Sequence, residues 1–171
     1  MPRQRTNIVL IGMPGSGKST VGVLLAKRSG KGFVDTDLLI QRDTGQTLQQ
    51  IIDAAGHREL RRAEATVLAN LDVQDHVIAT GGSAVYSASG MEHLRTDSLV
   101  VFLDASLGTV RARLGDFSLR GIAKRPEQTL EELFRERYAL YERYADQTIH
   151  CEGLSQEAVC ERILHITQPL S

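Results

Sequence analysis

The stretch Asn7-Ile8-Val9-Leu10-Ile11-Gly12-Met13-Pro14-Gly15-Ser16-Gly17-Lys18-Ser19-Thr20 decides the fold. Its first five residues form an apolar, β-branched run that reads as a strand buried on both faces. Gly12 to Ser19 then spells G-x-x-x-x-G-K-S. Lys18 to Ser29 follows as a helix with Val21, Leu24 and Leu25 on one face and a stop at Gly30. Strand, glycine loop and helix in that order make a phosphate-binding loop. The glycines let backbone N–H groups turn inward around phosphate oxygens, and the helix adds the positive end of its dipole. Gly12, Gly15, Ser16, Gly17, Lys18, Ser19 and Thr20 are therefore candidate ATP-binding residues. Lys18 is also a candidate catalytic charge on the β- and γ-phosphates, and Ser19 a candidate Mg2+ ligand.

Outward from this unit the chain alternates short apolar runs with helical periods. Gly32–Asp35 reads as a second strand, followed by helical stretches at roughly 37–44, 47–55 and 57–71, the middle one opened by a Thr47/Gln50 capping box. Strands at 77–79 and 99–103, a helix running from Thr129 to about Tyr144, a strand near 148–151 and a helix over about 155–166 complete the series. The pattern predicts an α/β fold, a parallel sheet covered by helices on both faces. Gly115 to Pro126 carries basic residues and turn formers without an apolar period, and reads as a mobile lid.

The 171 residues suit one domain, with acceptor-binding helices over about 37–71 and the lid over about 115–126. Twenty Lys and Arg against twenty-one Asp and Glu leave a net charge of -1, which excludes the broad basic face of a nucleic-acid binder. The apolar run before Gly12 is too short for a signal peptide or membrane span, so a cytoplasmic protein is expected, and a monomer is the expected assembly. Cys151 and Cys160 lack metal or redox spacing and read as reduced structural thiols. A GTPase would carry an Asn-Lys-x-Asp motif, which is absent. A small chain with a basic lid points instead to a metabolite kinase that closes over its substrates.

Asp35-Thr36-Asp37 stands at the end of the second strand, on the sheet edge where ligands sit in open α/β folds. Two carboxylates so spaced can divide labour, one supporting magnesium and one taking the proton of an acceptor hydroxyl. The competing reading makes Asp37 a helix N-cap.

Together with Gly12–Ser19, several further motifs resemble the shikimate kinase family over nearly the whole chain. They are Phe33–Asp37, the run from Gly56 through Arg61 to Glu64, Ala79-Thr80-Gly81-Gly82, Arg113-Leu114, Arg120 and Arg137-Tyr138-Ala139-Leu140-Tyr141. The resemblance implies a P-loop NTPase of the nucleoside-monophosphate-kinase type, with five parallel strands in the order 2-3-1-4-5. It implies Asp37 as acceptor-side base, Asp35 as magnesium support and Arg61 with Arg137 as a clamp on the acceptor carboxylate. Gly81 and Gly82 become a turn against the acceptor, Arg113 an adenine-stacking residue, and Arg120 the lid arginine that meets both ATP and the transferring phosphoryl group. Guanidinium suits a bidentate carboxylate contact.

The departures from the family pattern cluster around the acceptor. Ser83 replaces a third glycine, Leu60 and Ile52 replace phenylalanines, His57 replaces a glutamate, and Arg120-Gly121-Ile122-Ala123 replaces Arg-Pro-Leu-Leu. The clamp is retained, two aromatic walls are lost and a hydroxyl is gained at Ser83. Shikimate is the leading acceptor. L-homoserine is the alternative, with Ser83 or a backbone carbonyl facing its ammonium, and a non-catalytic nucleotide-binding regulator is the third reading.

Overall fold

The computed structural model describes residues 4–115 and 121–168. Five strands form one parallel sheet: β1 Asn7–Ile11, β2 Gly32–Asp35, β3 His76–Ala79, β4 Ser98–Asp104 and β5 Gln147–His150. Their order is β2-β3-β1-β4-β5, as the family resemblance implied. β1 is central, with Val9 in register with Ile78 of β3 on one side and Val100 of β4 on the other.

Strand periodicity separates two cores. Val9, Ile11, Ile78, Val100 and Phe102 face one side of the sheet, whereas Ile8, Leu10, Val77, Val101 and Leu103 face the other. The second side is covered by α1 (Lys18–Ser29) and α8 (Gln156–Thr167), through Val21, Leu25, Val159 and Ile163. The first is covered by α4 (His57–Asn70), α5 (Ala88–Arg95) and α7 (Leu130–Tyr144), with α6 (Leu107–Leu114) beside them.

A third, smaller core underlies the acceptor-side helices α2 (Thr36–Thr44), α3 (Leu48–Ala55) and α4. It joins Ile40, Ile51, Leu60, Val67 and Ala123, with Ile52 packed against them. Thr47 and Gln50 form the expected capping box at α3, and Thr129 with Glu132 forms another at α7. Such caps stabilise a helix by about 1 kcal/mol each.

One of the sequence readings is corrected here. The N-cap of α2 is Asp35, whose side chain accepts the Asp37 backbone N–H at 2.9 Å, so Asp37 sits in the first turn with its carboxylate free for other work. Residues 116–120 of the expected lid lie outside the described residues, and the part that follows them is packed. Ile122 and Ala123 are buried, Gly121 N–H donates to Gln49 Oε1 at 2.6 Å, and the Ala123 carbonyl accepts from Arg137 Nη2 at 2.7 Å. An apolar pair placed over a cavity packs, whatever its lack of helical or strand period. Arg120, the expected lid arginine, lies outside the described residues.

Candidate active site

The carboxyl ends of β1, β2 and β3 open on a cavity of about 520 Å³. One end is floored by the glycine loop. Gly17, the N-cap of α1, has φ 98, a left-handed conformation open to glycine at little cost, and provides no side-chain cap. α1 also has no acidic residue in its first turn. Its leading N–H groups are thus left for an anion, which the helix dipole favours.

Lys18 folds back over this loop, and its Nζ donates to the Gly12 carbonyl at 2.7 Å and the Met13 carbonyl at 2.8 Å. Burial pushes its pKa down to about 8, although Asp37 nearby pulls it back up. Ser16 is buried beneath the loop, while Gly15, Gly17, Ser19 and Thr20 line the cavity. Gly12 lies below, where a Cβ would stand 2.8 Å from the Leu103 carbonyl. Arg113 donates to the Gly15 carbonyl at 3.0 Å and remains exposed on the nucleotide side.

Ser19 Oγ donates to Asp35 Oδ2 at 2.8 Å, which brings the two candidate magnesium ligands together. Hydroxyl and carboxylate oxygens beside a phosphate loop fit Mg2+, which is usually held by one or two protein oxygens, substrate phosphates and water. Asp104, also at a strand end, is otherwise engaged: its Oδ2 accepts from the Tyr138 hydroxyl and contacts His150 Nδ1, each at 2.9 Å.

The other end of the cavity is assembled from distant segments. Asp37 comes from α2, Glu64 from α4, Gly81 to Ser83 from the turn after β3, and Arg137 from α7. Gly81 is wedged between acids, since a Cβ there would collide with Glu64 Oε1 and lie 2.7 Å from Asp37 Oδ1. Gly82 packs against Arg137 and Pro14, and its carbonyl accepts from the buried Tyr141 hydroxyl at 2.7 Å. The Asp37 carboxyl is raised above its ordinary range by burial and secondarily by Asp35, with Lys18 opposing. Glu64 is pushed up to about 7 by burial, then by Asp37.

The two expected clamp arginines are differently placed. Arg137 is 1% exposed and lines the cavity. Arg61 does not line it; its guanidinium stacks 3.6 Å from the centroid of Tyr86, and Arg137 lies 5.5 Å from the same ring. Among the described residues Glu59 pairs with Arg62, and Glu64 Oε2 accepts from the Ser83 hydroxyl, with no ion pair from either to Arg61. Both arginines leave Nε buried without a hydrogen-bond partner among the described residues.

Of the five departures around the acceptor, Leu60, Ser83 and the Gly121, Ile122 and Ala123 of the lid segment line the cavity. Ile52 does not, but packs in the third core, and the lining residues do not include His57. Sequence reasoning missed Tyr86, which has no motif to mark it, and named Glu64 without assigning it a role.

A parallel 2-3-1-4-5 sheet with a phosphate loop after its central strand and a cavity over the strand ends defines a P-loop kinase fold. The Shikimate kinase family profile matches residues 14–168. The chain is 37% identical to a shikimate kinase of Methylococcus capsulatus, over 95% of this chain and 93% of the relative. It is 46% identical to one of Symbiobacterium thermophilum, over 70% and 68%. Among solved structures, shikimate kinase from Acinetobacter baumannii in complex with shikimate is similar with a TM-score of 0.86 and 34% identity, covering 94% of this chain and 92% of that one. This chain belongs to the shikimate kinase family.

Proposed function

We propose that this protein catalyses ATP-dependent phosphorylation of shikimate, transferring the γ-phosphoryl group to the 3-hydroxyl to give shikimate 3-phosphate, a step of aromatic amino-acid biosynthesis. The observation that carries the reading is the polarity of the cavity. A phosphate loop with Lys18 closes one end, and a buried arginine, Arg137, faces two carboxylates, Asp37 and Glu64, at the other. Such an array suits a small molecule with a carboxylate and several hydroxyls, which is shikimate's chemistry.

Phosphoryl transfer proceeds through a loose transition state, so catalysis rests on positioning and on charge placed where negative charge spreads. Lys18 exchanges the Gly12 and Met13 carbonyls for phosphate oxygens. The acceptor carboxylate enters between the guanidinium groups of Arg137 and Arg61, with Arg61 swinging in from Tyr86. The acceptor hydroxyl donates to Asp37, whose raised proton affinity strengthens it as the acceptor of the hydroxyl proton. Mg2+, held by Ser19 and Asp35, would neutralise charge on the β- and γ-phosphates. Arg113 flanks the nucleotide, and Arg120 is assigned to the transferring phosphate from the lid. The chain acts as a single cytoplasmic catalytic unit, a monomer without nucleic-acid or membrane partners; none of its described helices is long and apolar enough to cross a membrane.

Homoserine is the competing acceptor: the Ser83 hydroxyl donates to Glu64 and keeps lone pairs that an ammonium could use. The test is ADP release from ATP with shikimate, L-homoserine or no acceptor. Turnover dependent on shikimate is expected. Preference for homoserine would replace the acceptor, and nucleotide binding with no turnover on either would leave a regulator.

A further inference from the structure

Glu64 is 2% exposed, and its two carboxylate oxygens have different fates. Oε2 accepts from the Ser83 hydroxyl, whereas Oε1 is buried with no hydrogen-bond partner among the described residues. A buried carboxylate oxygen without a donor is costly, and the cost is removed when a ligand supplies one. Glu64 lines the cavity, and Oε1 lies against Gly81, the glycine that Asp37 Oδ1 also approaches. Two carboxyl oxygens beside one glycine match, when ionised, two neighbouring hydroxyl groups on one ring.

We propose that Ser83 is a positioning residue for acceptor choice: its hydroxyl fixes the Glu64 carboxylate so that Oε1 receives the acceptor hydroxyl adjacent to the one held by Asp37, giving the site selectivity for a vicinal diol. This rests on the reading of shikimate as acceptor and goes beyond it by naming what reads the second hydroxyl. The torsion that orients a glutamate carboxylate is broad and nearly two-fold, so without an anchor the group would rotate. Ser83 is a suitable anchor. The turn carrying it is tied by Ala84 N–H to the Gly81 carbonyl at 3.2 Å and by Tyr86 N–H to the Ser83 carbonyl at 3.1 Å.

The charged groups facing Glu64 are Asp37 from α2, Lys18 from α1 and Arg137 from α7. Burial and Asp37 raise its proton affinity, while the Ser83 hydrogen bond, Arg137 and Lys18 lower it. Removing the Ser83 hydroxyl therefore moves the protonation of Glu64 to higher pH.

The experiment measures kcat and KM of the full chain, with saturating ATP and with shikimate or 4-deoxyshikimate as acceptor, for wild type, Ser83→Ala, Ser83→Thr and Glu64→Gln. Shikimate binding is measured in parallel by calorimetry in the presence of a non-hydrolysable ATP analogue. Ser83→Ala is expected to raise the shikimate KM and Kd about tenfold, the scale of one charge-assisted hydrogen bond, with kcat and the ATP KM within about twofold of wild type. Ser83→Thr should restore binding, and the acid limb of kcat/KM should shift upward in Ser83→Ala. Against 4-deoxyshikimate the difference between wild type and Ser83→Ala should vanish, and Glu64→Gln, which keeps the volume, should lose discrimination between the two acceptors. An unchanged shikimate KM in folded Ser83→Ala would overturn the proposal, as would an equal penalty on both acceptors. Failure of wild type to turn over shikimate at all would instead overturn the functional reading.

Discussion

The nucleotide end of the cavity and the acceptor end differ in how far their polar groups are satisfied before a ligand arrives. At the nucleotide end Lys18 is bonded to two loop carbonyls, Ser19 to Asp35 and Arg113 to Gly15. At the acceptor end Arg61 Nε, Arg137 Nε and Glu64 Oε1 are buried without partners among the described residues. The first end is built on one continuous stretch, residues 12–20, braced by Asp35 at the end of β2 and Arg113 of α6. The second is brought together from four separate segments, and its unsatisfied donors and acceptor are complementary to a carboxylate and a hydroxyl. Specificity at such an end is steep, because a ligand lacking the matching group leaves buried charges unpaired.

Variants at the two ends should therefore fail in different ways. Asp37→Asn removes the proton acceptor and is expected to lower kcat by about a hundred- to ten-thousandfold while ATP affinity stays near wild type. Steady-state kinetics beside nucleotide titration checks this, and equal losses in both would place Asp37 outside the acceptor end. Lys18→Met should lower kcat by about a hundred- to thousandfold with an unchanged far-UV spectrum, since its charge serves phosphates and not the core.

Gly81→Ala drives a methyl group against Glu64 and Asp37 and should destabilise the fold by about 1–3 kcal/mol. It should also weaken shikimate binding more than ATP binding, as thermal melts and two titrations would show. Tyr86→Leu removes the surface on which Arg61 stacks, an interaction on the order of 0.5–2 kcal/mol. Because Arg61 leaves that ring to meet the acceptor carboxylate, the shikimate KM should fall by up to the corresponding roughly two- to thirtyfold, with the ATP KM unchanged.

The smallest effect concerns pH. Glu64 has a folded pKa raised to about 7 from an ordinary 4.5, so the stability it contributes is fully present below about 4.5 and is lost as pH rises towards 7. Melting temperatures of Glu64→Gln should accordingly gain on wild type across that window and run parallel to it outside. Parallel curves throughout would mean that Glu64 is already charged and paired.

The same contrast explains what the sequence revealed. Residues 7–20 carry strand, loop and helix in one span, and the capping pairs Thr47/Gln50 and Thr129/Glu132 are three residues apart, so local physics and pattern sufficed. The parallel sheet followed from alternation, and its strand order from the family resemblance. The acceptor end was legible only as a set of residues. That Arg61 rests on Tyr86, that Ser83 holds Glu64 and that Gln49 pins Gly121 are contacts between segments with no local periodicity to announce them. Ile52 illustrates the converse: a departure from the family pattern turned out to belong to the small core under α2 to α4 and not to the cavity wall.

The most direct test of the central claim is identification of the phosphorylated product. Purified protein is incubated with Mg-ATP and an equimolar mixture of shikimate and L-homoserine, and the reaction is followed by 31P NMR. A single new phosphomonoester resonance coupled to a ring proton of shikimate, growing in step with ADP, is the predicted result. Phosphohomoserine as the main product, or ADP accompanied only by inorganic phosphate, would contradict the assignment of the acceptor end.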